Sequence, residues 1–216
     1  MQRIYSFKDQ LCDYTTNFTL THEDGVTLSM RHPILLDTDI IWLMGVSPTE
    51  IRRQGDALEI TYIVEKILRH ADPSFDIPVK LLFTQVNGRN RLKAGHIDSQ
   101  LSTLLTPELI DRTLKKTCDA TSSIRNQSVR IDLSALDRSS LPTRKELIAA
   151  LGEPLHSSRN DRVLYYAYRL KHANSEAEAA NAIAWYDARG QELRKVKFRY
   201  LRYELNADFV KGSALI

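Results

Sequence analysis

The chain has 216 residues, of which 43% are hydrophobic and 26% charged, and a net charge of +3. This is the composition of a globular protein with material for one large domain or two modest ones, and its charge is too slight to argue for a nucleic-acid partner. No apolar run approaches the roughly 20 residues a membrane-spanning helix needs; the most apolar patch, IIWLMGV at 40–46, fits a buried helix.

In chain order, residues 4–14 are predicted to be helical, with Ile4, Phe7 and Leu11 on one face. Phe18 and Leu20, then Val26, Leu28 and Met30, alternate with polar residues around Glu23-Asp24-Gly25, the pattern of a β-hairpin closed by His32-Pro33. A short helix is expected next, capped by Asp37, striped by Ile40, Ile41 and Met44, released at Gly45 and stopped by Pro48. Two long strands follow, ALEITYIVEK at 57–66 and a second run at 77–97 folded back at Asn87-Gly88, where glycine accepts positive φ. Residues 98–106 are polar and mark a boundary.

The same grammar then repeats. Thr106-Pro107-Glu108 starts a helix striped by Ile110, Leu114 and Cys118. Val129, Ile131 and Leu133 alternate as a strand. Thr143 and Glu146 form a capping box ahead of Leu147, Ile148 and Leu151, with Gly152 as exit and Pro154 as stop. Strands at 162–172 and 182–201 follow, joined by the polar run HANSEAEAA and folded back at Arg189-Gly190; residues 209–216 read as a frayed tail. Gly45 and Gly152 lie 107 positions apart, Pro48 and Pro154 106, Cys12 and Cys118 106, and Gly88 and Gly190 102. Ordered landmarks at near-constant spacing point to a duplication. The expected fold is α+β, with two homologous halves at 1–100 and 106–208, each carrying short helices on an antiparallel sheet built round a long hairpin.

The run T-x-x-E-L-x-x-x-L-G-x-P, carried by Thr143, Glu146, Leu147, Leu151, Gly152 and Pro154 ahead of two long strands, resembles the small outer-membrane-assembly lipoproteins of the SmpA/OmlA type. A tandem pair of such units also resembles the β-lactamase inhibitory protein fold. The first copy departs from the pattern: its helix lacks the capping glutamate and has one residue inserted before Pro48. The resemblance covers a little over half the chain. It implies a cell-envelope protein that acts through contacts, without catalysis, and it carries no binding site onto particular residues.

Chemical signatures point the same way. The histidines at 22, 32, 70, 96, 156 and 172 are scattered, and no HExxH, CxxC, GxSxG, P-loop or GxGxxG occurs, so no catalytic, metal or cofactor-binding residue is expected. Asp37-Thr38-Asp39 has the composition of a cation site, but helix capping explains it better. Nothing in the sequence brings Glu50 and Glu59 into one cleft.

Tyr165, Tyr166, Tyr168, Trp185, Tyr186, Tyr200 and Tyr203 crowd the second half. In the strand 193–201, Val196, Phe198 and Tyr200 share one face, and Lys195, Lys197 and Arg199 share the other. Burying the apolar face turns the three cations outward, with Arg194 and Arg202 at the edges. That row is the candidate partner-binding surface, for another envelope protein or an anionic lipid surface; the alternative is a solvated face relieved by acids on a neighbouring strand. Cys12 and Cys118 occupy equivalent positions and are expected to be bonded, against the alternative of two buried free thiols. A chain that starts Met1-Gln2-Arg3 is compatible with a lipoprotein whose leader and lipidated cysteine were replaced by an initiator methionine, and with a cytosolic protein at its own start. The leading expectation is a non-enzymatic periplasmic or outer-membrane-anchored module that binds protein. An enzyme with a site between the halves, and a carrier of a small ligand or lipid there, are the alternatives.

Overall fold

The computed structural model describes residues 2–68, 76–101, 104, 106, 109–111, 113–114, 121–123, 128–134, 137–158, 160–171, 180–201 and 203–215. Helices α1 (Gln2–Cys12) and α2 (Tyr14–Asn17) lead into the hairpin β1 (Phe18–Thr21) and β2 (Val26–Met30). Gly25 closes it at φ 112°, where a Cβ would stand 2.3 Å from the Ile97 carbonyl oxygen, so only glycine fits. Helix α3 (Asp37–Met44) precedes β3 (Glu50–Gln54), β4 (Ala57–Lys66), β5 (Asp76–Val86) and β6 (Arg89–Ile97). A 3-10 turn at Ser99–Leu101 and helical residues at 109–111 and 113–114 lead to β7 (Thr121–Ser123) and β8 (Ser128–Asp132). Helix α4 (Arg144–Leu151) then precedes β9 (His156–Ser157), β10 (Val163–Leu170), β11 (Ala180–Tyr186), β12 (Leu193–Tyr200), β13 (Tyr203–Asp208) and β14 (Ser213–Leu215).

Local chemistry explains most of these elements. Thr143 Oγ1 accepts from the Glu146 N–H at 3.3 Å, and Glu146 accepts from the Thr143 N–H at 2.8 Å, the expected capping box. The Thr143 N–H and hydroxyl, both donating to its carboxylate, hold Glu146 below its ordinary range. At α3 the N-cap is Leu36, not Asp37: Asp39 accepts from the Leu36 N–H at 2.9 Å and from Arg3 Nε at 2.6 Å, while Asp37 accepts from Asn90 at 2.6 Å. The Asp-Thr-Asp run is therefore engaged in capping and side-chain contacts. Asn87 and Gly88, at φ 52° and 73°, make the two-residue turn between β5 and β6.

All the described strands are antiparallel and lie in one sheet, in the order β1-β2-β6-β5-β4-β10-β11-β12-β13-β14-β8-β7, with β3 on β4 and β9 on β10. The fold is thus mixed and strand-dominated. The separate sheets expected for two halves merge where β4 meets β10, in the register Tyr168↔Lys66, Arg169↔Glu65 and Leu170↔Val64. Arg169 pairs with Glu65 at 2.7 Å across that seam, and Lys171 with Asp76 at 2.5 Å.

The helices pack on one face of this sheet. One apolar cluster joins Ile40 to Leu58, Ile60, Tyr62, Phe83 and Leu92; another joins Leu147, Ile148 and Leu151 to Leu164, Tyr166, Tyr186 and Leu193. Tyr62 and Tyr166 are wholly buried on the two central strands, and each hydroxyl turns to the chain leaving a helix: Tyr62 to the Val46 carbonyl at 3.5 Å, Tyr166 to that of Gly152 at 3.2 Å. The helix C-termini also receive a side chain from beyond the seam. Lys66 Nζ donates to the Leu151 carbonyl at 2.6 Å, and Tyr200 Oη donates to that of Met44 at 2.7 Å. A cation suits the negative end of a helix, and Lys66, 4% exposed, also lies 5.3 Å from the centre of the Tyr166 ring.

The expected frayed tail is a strand. β14 pairs with β13 (Ala207↔Ala214) and with β8 (Ala214↔Ile131), so the sheet continues past residue 208. The turn before it is held by Asp208, which accepts from the N–H groups of Val210 and Lys211 at 3.1 and 2.9 Å, and by Gly212 at φ 66°. Short alternating Ala and polar residues gave too little apolar signal to mark a strand, yet Ala207 and Ala214 are small enough to close pack.

Candidate partner-binding face

Alternation along β10, β11 and β12 sends one set of side chains to the helices and the other away from them. Leu164, Tyr166 and Tyr168 go to the core with Ala180, Ala184 and Val196. Tyr165, Ile183 and Trp185 project from the opposite face and belong to none of the apolar clusters. The register sets Tyr165 beside Ile183 and Ile183 beside Lys197, with Trp185 beside Lys195 in the neighbouring row. The Lys195 ammonium lies 5.3 Å from the centre of the Trp185 ring, and His156 of β9 stacks on Tyr165 with ring centres 5.9 Å apart.

Lys195, Lys197 and Arg199 do share this face. Val196, on the other face, packs into the core; Tyr200 does so too, its hydroxyl pKa pushed up to about 12 by burial. Phe198, expected in the core, is 38% exposed because its cross-strand neighbour is β13, over which the described helices place no apolar residue. The strand ends at Tyr200; Leu201, at φ 48°, begins the turn. Arg194 is the extra residue of a β-bulge, since Trp185 pairs with Lys195 but Tyr186 with Leu193. Arg202 lies outside the described residues.

The cationic row is not left to solvent alone. β13 runs beside it in the register Lys195↔Asp208, Lys197↔Asn206 and Arg199↔Glu204. Lys197 pairs with Glu204 at 3.0 Å, which holds the Glu204 carboxyl below its ordinary range, and Arg199 Nε donates to the Leu201 carbonyl at 3.3 Å. Lys195 differs: the carboxylate across from it, Asp208, is committed to the β13–β14 turn. Beside Lys195 is a shallow depression of about 310 Å³, lined by Lys195, Asn206, Asp208, Lys211, Ser213, Ala214 and Leu215. Sequence reasoning singled out Lys195 but missed the others with the strands that carry them; the alternation Glu204, Asn206, Asp208 against Leu205, Ala207 was the available signal.

Among the described residues no three His, Cys, Asp or Glu side chains gather as a metal site would require, and no helix is long and apolar enough to cross a membrane. Cys12, at the end of α1, is disulfide-bonded; Cys118 lies outside the described residues. No protein-family model matches the chain, and no curated protein or solved structure is significantly similar to it.

Proposed function

We propose that this chain is a non-enzymatic protein-binding module of the cell envelope, built from two copies of one α+β unit and related to the SmpA/OmlA and β-lactamase inhibitory protein folds. The observation that carries the binding reading is the face of β10–β12 turned away from the helices. Trp185, Tyr165 and Ile183 form an apolar floor there, and Lys195, Lys197 and Arg199 flank it. Aromatic and cationic groups on a rigid sheet are suited to protein recognition, because they bring contact area at small entropic cost. The cross-strand acids Glu204 and Asp208 make this face mixed in sign, which favours a protein partner over a uniformly anionic lipid surface.

The duplication is supported by the order helix, glycine exit, short strand, long hairpin in α3–β6 and again in α4–β12. Matching bulges support it further, leaving Lys93 extra in β6 and Arg194 extra in β12. The envelope assignment draws on the disulfide at Cys12, since such bonds persist in oxidising compartments. Cys118 is its proposed partner, being the second of two cysteines. Thiol titration of unreduced, denatured protein is expected to find no free thiol; two per chain would contradict the bond.

Replacing Lys195, Lys197 and Arg199 together by serine tests the binding face. Folding is expected to hold, since surface changes cost within about 0.5 kcal/mol each, and capture of a partner from envelope extract is expected to weaken, with raised salt expected to mimic the effect. Undiminished capture by a folded triple variant counts against the reading.

A further inference from the structure

The depression between β12 and β14 is lined by two lysines and one carboxylate, Asp208. Neither Lys195 nor Lys211 forms an ion pair with a described residue. The nearest acid by register, Asp208, has an oxygen turned to two backbone N–H groups, and Asn206 already donates its amide to Glu204 at 2.7 Å. The Ser213 hydroxyl on the rim has no hydrogen-bond partner either. Two lysines and a free hydroxyl thus line one concave spot, with Leu215 as its apolar wall.

From this we infer that the depression is an anchor site for one glutamate side chain of the partner protein, a proposal that rests on the protein-binding reading above. Lys195 and Lys211 against Asp208 leave a net charge of one, the complement of a single carboxylate; a dianionic phosphate would meet greater repulsion from Asp208. The volume takes a whole side chain, so the methylenes of the glutamate lie along Leu215 while its carboxylate accepts from Lys195, Lys211 and Ser213. Trp185, in contact with Lys195, then flanks the bound residue and is available to an apolar neighbour of that glutamate. The site exists only because β13 and β14 extend the sheet beyond β12.

The test uses the whole protein and three small probes at constant ionic strength: N-acetyl-glutamate amide, N-acetyl-glutamine amide and inorganic phosphate. Backbone NMR shifts are followed through each titration. The expected result is saturable perturbation at Lys195, Lys211 and Ser213 by the glutamate probe, with the glutamine probe about tenfold weaker, because charge-assisted bonds are lost. The variant Lys195→Gln/Lys211→Gln, with both positions outside the core, is expected to keep its spectrum elsewhere and lose the saturation. Equal binding of the two amide probes, tighter binding of phosphate, or no saturable response overturns the inference. If the site fails while the triple-serine variant still loses capture, the anchor is wrong and the binding face stands; if capture is indifferent to the face, the wider reading falls.

Discussion

β6 and β12 follow one plan, yet their outer neighbours differ. Each is the second arm of a hairpin, each carries one extra residue in a bulge, and each buries a leucine beside it, Leu92 and Leu193. Beyond β6 lies β2, from the hairpin that precedes α3; beyond β12 lies β13, from the end of the chain, with β14 between it and β8. β6 is therefore flanked by the hairpin that leads into α3, and β12 by an added one. That addition brings Glu204 and Asp208 alongside the cations, creates the depression, and leaves Phe198 and Tyr203 partly exposed. What β6 and β12 share concerns packing; what distinguishes β12 is a surface.

The shared part is the easier to break. Tyr62→Ala and Tyr166→Ala each remove a wholly buried aromatic ring from a central strand, and each is expected to cost about 3–5 kcal/mol in urea unfolding. Matching losses within one cooperative transition fit a single sheet spanning both clusters. Two separated transitions, each moved by one variant only, would mean that the seam between β4 and β10 does not unite them.

The contacts beyond the seam sharpen the comparison at smaller cost. Lys66→Met keeps the stem but removes the donor to the Leu151 carbonyl, with an expected loss of about 1–3 kcal/mol. Tyr200→Phe removes the donor to Met44, and about 1 kcal/mol is expected. Additive losses in the double variant would show the two helix ends acting independently; coupling would show the seam responding as a unit.

Much of the fold was legible in the sequence because its signals are local. Gly45, Gly152, Asn87-Gly88 and the Thr143–Glu146 box each dictate a backbone conformation within a few residues. Period two sorted β12 correctly into core and solvent faces for Lys195, Lys197 and Val196. What was not legible depends on distant pairing. β3 is exposed along its length and so carries no apolar alternation. β14 has three residues and is held by β8 and β13 from either side. The joining of β4 to β10 rests on backbone bonds and on Lys66, a residue whose type argues for solvent rather than for a buried seam. The candidate site was half visible for the same reason: its cations lie on one strand, while the groups that shape it come from strands added beyond.

Site-specific photocrosslinking in intact cells tests the central claim most directly. A benzoyl-phenylalanine at Ile183 sits at the centre of the face turned away from the described helices, and one at Lys145 sits exposed on α4, on the side of the helices. The account predicts a discrete crosslinked protein from position 183 and none from position 145. Crosslinking from 145 alone, or from neither position, would contradict it.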